Sequence, residues 1–129
     1  MRGMPATRSA TAWTVALVGW LLVILAETWR SIPPIAPIGS DTLSHFSGFL
    51  VLGVLAIMTL RCWHVSDGPW IAALGCLFFG TISEGGQLWV PGREVALSDW
   101  AANVSGAFLG IAAVAVALFL ANRSSGTDV

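Results

Sequence analysis

Residues 100–120, Trp100-Ala-Ala-Asn103-Val-Ser-Gly106-Ala-Phe-Leu-Gly110-Ile-Ala-Ala-Val-Ala-Val-Ala-Leu-Phe-Leu120, contain no acidic or basic side chain. A helix needs about 20 mostly apolar residues to cross a hydrocarbon core of ~30 Å, so this stretch is long enough to span a membrane. Working back along the chain, residues 69–90, 45–62 and 11–28 meet the same test, and little of the 129-residue chain is left outside them. The expected fold is all-α, a polytopic integral membrane protein with a bundle of four transmembrane helices in a single domain, 1–129. Composition agrees, with 56% hydrophobic and only 10% charged residues and a mean hydropathy of +0.80. Six Arg, no Lys and seven acids leave a net charge of -1, so nothing points to a nucleic-acid partner or to an acidic substrate drawn by bulk charge.

The span ends carry their own markers. Trp29, Trp63, Trp70, Trp89 and Trp100 fall near them, where an indole can keep its N–H in water. Pro33, Pro34 and Pro37 predict an extended surface loop between the first two spans. Helix is expected to resume at Ser40 as N-cap with Asp41 in the first turn, and Ser98-Asp99 repeats the pattern before the fourth span. Arg2 and Arg8 before the apolar run 12–26 look like the start of a signal peptide. Glu27-Thr28-Trp29-Arg30 offers no small-x-small cleavage site, so a retained first helix is expected. Cys62 and Cys76 have neither CxxC nor metal-type spacing and read as ordinary apolar positions. The tail from Asn122 is short, polar and expected to fray. With four spans, Arg2, Arg8, Arg61 and Arg123 share one side, against Arg30 and Arg93 on the other. The excess predicts cytoplasmic termini and an extracytoplasmic polar face in the cell membrane.

That face gathers the ionisable residues. A charge at the centre of a span costs roughly 2.5–3.5 kcal/mol on insertion scales, so Glu84 inside the third span asks for a reason. Gly80 and Gln87 share its face by i, i+4, i+7 spacing. In the second span Asp41, His45, Phe49 and Leu52 form one stripe, and in the fourth Asp99, Asn103, Gly106 and Gly110 form another. The two glycines are expected to let a neighbouring helix approach closely below the polar pair. Pro91 ends the third helix, and Arg93 in the following turn is placed to fold over the cluster. His64, beside Trp63, reads as a solvated interfacial residue.

In this order and spacing, Asp41-x3-His45-Phe46, Glu84-x2-Gln87, Pro91-Gly92-Arg93 and Asp99-x3-Asn103-x2-Gly106 resemble the VanZ-like family of small bacterial envelope membrane proteins. The resemblance covers roughly residues 11 to 120. Members often carry Tyr a few positions after the His-Phe pair, where this chain has Gly48 and Phe49 and no Tyr anywhere. The resemblance implies a place in the cell envelope and lowered susceptibility to the lipid-tailed glycopeptide teicoplanin; it implies no particular mechanism.

Three readings of the cluster stay open at this stage. In the first, Arg93, Gln87, Asn103 and Arg30, with protonatable His45, bind a membrane lipid or a lipid-linked, phosphate-bearing envelope precursor. The charges of Asp41, Glu84 and Asp99 oppose this unless they are paired, protonated or metal-bound. In the second, Asp41, His45, Glu84 and Asp99 form a catalytic site, holding a divalent metal such as Mg²⁺, Mn²⁺ or Zn²⁺ or acting as acid and base. Ser44, Ser47 and Ser83 lie near but without a triad pattern. In the third, the polar residues only fix helix packing, or dock an envelope protein or a second copy of the chain.

Overall fold

The computed structural model describes residues 6–30 and 40–124. It contains four long helices and a 3₁₀ turn: α1 (Ala6–Thr28), α2 (Ser40–Cys62), α3 (Gly68–Gly86), the turn Gln87–Trp89, and α4 (Leu97–Ser124). All four helices are long and apolar enough to cross a membrane, and no strand occurs among the described residues. The proline-rich loop 31–39 and residues 125–129 of the tail lie outside the described residues. Two boundary expectations are corrected. The fourth helix starts one residue before Ser98, which makes Ala96 the cap residue, and it runs on through Asn122 and Arg123 to Ser124. Apolar length and the Arg123 guanidinium over the Phe119 ring at 4.5 Å carry that last turn.

Local chemistry explains the turns. After α2 the backbone closes a Schellman pattern, with Val65 N–H donating to Leu60 O and His64 N–H to Arg61 O. His64 therefore takes the left-handed conformation (φ 55) usually given to glycine. Pro69 sits in the first turn of α3, where its missing N–H costs nothing. At the other end of α3, Val90 is extended before Pro91 and Gly92 adopts φ 80, so the chain reverses into α4 within a few residues.

The alternation of four spans makes α2 and α4 parallel, and these two helices share the most extensive contact in the molecule. The cause is in the backbone. A Cβ on Gly106 would collide with the Phe46 carbonyl, one on Gly110 with the Leu50 carbonyl, and one on Gly53 with the Ala107 carbonyl. The glycine stripe of α4 thus lies directly on the main chain of α2, as the small-xxx-small spacing predicts. Behind this seam, Phe49, Leu52, Ile57, Ala72, Ala73, Cys76, Ala107 and Ile111 form the core, with the Phe49 and Phe79 rings 5.9 Å apart. Outward-facing Val15, Leu22, Leu74, Phe78, Leu109 and Phe119 leave an apolar exterior suited to lipid. Cys62 and Cys76 are free thiols.

The indoles at the span ends also make bonds within the bundle. Trp29, Trp63 and Trp100 donate their N–H groups to Ser83 O, Thr14 Oγ1 and Thr81 Oγ1, tying one helix to another while Trp29 and Trp63 stay exposed. Trp70 and Trp89 stay exposed at the span ends.

The seam gives a direct test. Gly106→Ala should destabilise the detergent-solubilised protein by about 1–3 kcal/mol through overpacking. Gly19→Ala, which meets nothing within 4 Å inside α1, should hold or raise the unfolding midpoint through helix propensity. Equal midpoints for the two variants would contradict the close α2–α4 contact.

Candidate functional site

Buried polar side chains are not spread along the bundle. Of the eight among the described residues, Thr28, His45, Ser83, Glu84, Gln87, Asp99 and Asn103 lie at one end, and Thr59 alone lies elsewhere. That end is made by the last turn of α1, the first turns of α2 and α4, and the end of α3 with its 3₁₀ turn. The register of the glycine seam sets its contents: residues 57 or 58 apart in sequence face one another, as Thr42 does Asp99 and His45 does Asn103.

Each ionisable group in the cluster is held at one atom. His45 Nδ1 is 3.0 Å from Asn103 Oδ1, and its Nε2 faces Asp41 Oδ1 at 3.8 Å, too far for a good hydrogen bond. The Thr42 hydroxyl donates to Asp99 Oδ1 at 2.5 Å. Arg93 Nη1 donates to Asp41 Oδ2 at 2.7 Å. Glu84 Oε1 accepts the Ala96 N–H at 3.0 Å. This last bond has a structural reason: Ala96 caps α4, and a carboxylate at a helix start satisfies an orphan N–H and suits the helix dipole. Glu84 is also near enough to His45, Asp99 and Asp41 to interact with their charges.

Arg93 does more than pair with Asp41. Its Nε donates to Arg30 O at 3.2 Å and its Nη2 to Glu27 O at 3.0 Å. Glu27 O is a last-turn carbonyl of α1 and Arg30 O lies two residues beyond the helix, and a guanidinium there also meets the negative end of the helix dipole. The turn before α4 thereby ties α1 to α2. Three of the five N–H donors of the guanidinium are used in this clamp.

The expected site residues separate under this geometry. Asp41, His45, Asp99, Asn103 and Arg93 are joined in one network, with Glu84 and Gln87 buried beside it on α3. Arg30 is not brought in: its side chain is 66% exposed and pairs with Glu27 at 3.0 Å, and only its carbonyl meets Arg93. Ser83 is fully buried, but the partners of His45 are Asn103 and Asp41, so the arrangement is not a serine triad. Sequence reasoning missed Thr42, although its i, i+3 spacing from His45 puts it on the same face. It also missed Trp29, whose indole lies against Gly86 and bonds Ser83 O.

Four atoms of buried side chains have no hydrogen-bond partner among the described residues: Ser83 Oγ, Glu84 Oε2, Gln87 Nε2 and Asn103 Nδ2. All belong to this end. An unmade hydrogen bond on a buried group costs about 1–3 kcal/mol, so the cluster bears a cost that a closed packing network would not.

Fold and site together define a class: a four-span membrane protein with an ionisable cluster buried at one end of the bundle. The family model described as VanZ/LLP1 matches residues 8–120, and the chain belongs to that family. Comparison with curated proteins and with solved structures gives no significant match.

The clamp is testable by a double-mutant cycle in detergent. Arg93→Gln and Asp41→Asn should each destabilise, and the pair together should cost less than the sum, with a coupling energy of about 0.5–3 kcal/mol. Strict additivity would show that the ion pair contributes nothing to the fold.

Proposed function

We propose that the polar end of this VanZ-family membrane protein faces out of the cytoplasm and binds the headgroup of a lipid-linked or anionic, phosphate-bearing envelope molecule. Lowered susceptibility to lipoglycopeptides such as teicoplanin would follow from that capture. The observation that carries the reading is the set of unpartnered buried atoms. Ser83 Oγ, Gln87 Nε2 and Asn103 Nδ2 are three hydrogen-bond donors with nothing to donate to among the described residues. Phosphate oxygens accept such donors, and a lipid tail suits the apolar exterior of the bundle. Arg93, at the same end of the bundle and bonded at three N–H groups, has two further N–H donors that can serve an anionic ligand. The outward orientation is supported by the arginine bias of the two sides.

Retention of an added polyprenyl phosphate by the purified protein, read by native mass spectrometry, tests the reading. Gln87→Leu should accumulate normally and lower retention about tenfold, the loss of roughly one good hydrogen bond. Glu94→Gln, at an exposed position, should retain the lipid as the parent does. Equal retention by all three proteins would sink the proposal. The orientation is checked in the same background by replacing Cys62 and Cys76 with Ala: a membrane-impermeant maleimide should label Glu94→Cys from outside and leave Ser66→Cys untouched.

A further inference from the structure

The way the acidic groups are held says more than that they are close. Asp41, His45 and Asp99 come from two helices, and one ligand atom of each lies within 4.8 Å of the others. Each of the three has its other polar atom fixed by a different neighbour: Asp41 Oδ2 by Arg93, His45 Nδ1 by Asn103, Asp99 Oδ1 by Thr42. Metal-binding sites are built this way, with outer partners that set the tautomer of the imidazole and orient the carboxylates. With Asn103 Oδ1 as acceptor, Nδ1 carries the proton and Nε2 presents its lone pair toward the Asp41 carboxylate. A lone pair facing a carboxylate at 3.8 Å is repulsive, and either a proton on Nε2 or a metal cation between the two relieves it.

A second observation points the same way. Glu84, whose side chain belongs to a third helix and is 3% exposed, interacts electrostatically with all three residues and has Oε2 without a partner among the described residues. Arg93 supplies the cluster with one fixed positive charge, and that charge is paired with Asp41. Asp99 and Glu84 are paired with no fixed cation among the described residues, and in an apolar bundle such carboxylates are neutralised by a proton or by a bound cation.

We infer that Asp41, His45 and Asp99 bind a divalent cation of the Zn²⁺ or Mn²⁺ type, with Glu84 as the neighbouring unpaired carboxylate. The imidazole nitrogen selects these ions over Mg²⁺ and Ca²⁺, which take oxygen ligands. Tetrahedral bonds of about 2.0–2.2 Å set ligand atoms ~3.4 Å apart. His45 Nε2 and Asp41 Oδ1, at 3.8 Å, are near that spacing, and the three atoms, now within 4.8 Å of one another, draw together on the ion. A divalent cation balances the two carboxylates that Arg93 leaves unpaired, which removes the charge objection to an anionic ligand. The cation site itself does not rest on the lipid reading: metal content and lipid retention are separate measurements, and either can fail while the other holds.

The test uses the full chain in detergent, stripped with a chelator, reloaded with Zn²⁺ alone in phosphate-free buffer, desalted, and assayed for metal per chain. The parent and the exposed-site variant Glu94→Gln should each keep about one Zn²⁺ per chain, and His45→Gln and Asp99→Asn should keep none. Thr42→Val, which leaves all three ligands in place, should weaken binding about tenfold by freeing the Asp99 carboxylate. If the ligand variants fail to accumulate, the decision passes to Thr42→Val and to Co²⁺ loaded into the parent, whose visible absorption should be displaced by Zn²⁺. A parent that keeps no metal, or ligand variants that keep as much as the parent, overturns the inference. So does a Thr42→Val protein that binds with unchanged affinity.

Discussion

Everything at the polar end depends on the main-chain contact between α2 and α4. Gly106 and Gly110 lie against the Phe46 and Leu50 carbonyls, and Gly53 lies against the Ala107 carbonyl, so neither helix can slide or rotate without losing the contact. In a membrane, where lipid tails are as apolar as the core, close packing of this kind is a main source of helix association. The same contact fixes which side chains meet one turn higher. His45 is placed at Asn103 and Thr42 at Asp99 because the seam below them admits one register. A bulkier residue at Gly106 would part the helices and with them the ligand atoms of the cluster.

The other two helices are fastened to this pair by polar contacts that serve two purposes at once. Glu84 satisfies the cap of α4 and also brings a carboxylate next to His45 and Asp99. Arg93 covers the last carbonyls of α1 and also orients Asp41. α1 is mostly exposed apart from this clamp, its packing on α2 and the Trp20 indole donating to Gly48 O at 2.8 Å. The structural reading of the cluster is therefore correct for half of each residue. The other atoms, Glu84 Oε2, Asn103 Nδ2 and Gln87 Nε2, together with Ser83 Oγ, make no hydrogen bond among the described residues, and a buried polar atom left so costs the fold free energy. A site that only held helices together would lose nothing by replacing them with apolar groups.

Much of this was legible in the sequence because membrane helices obey simple periodicities. Length and hydropathy place four spans, and the i, i+4, i+7 stripes place Glu84, His45, Asp99 and Asn103 on inward faces. The glycine spacing of Gly106 and Gly110 indicates a close neighbour. What periodicity cannot supply is the partner across a gap in sequence. The attachment of Arg93 to the end of α1 depends on how the α3–α4 turn folds back, and Arg30 turned aside to Glu27 for the same local reason. Ser98 looked like a cap because its side chain suits one. The helix instead starts at Leu97, where the Glu84 carboxylate takes the Ala96 N–H from another helix. The indoles at the span ends read as interfacial anchors, yet three of them found acceptors within the bundle, a matter of tertiary placement.

The central claim is that the buried polar end is a working site and not only a joint. Glu84→Gln is the most direct probe, since the amide oxygen can still accept the Ala96 N–H and keep α4 capped while the charge is removed. The measurement is complementation, at matched membrane abundance, of cells whose envelope phenotype depends on this protein. The account predicts a variant that accumulates like the parent and fails to restore the phenotype. Full restoration by a normally abundant Glu84→Gln protein would contradict it and leave the cluster with a packing role alone.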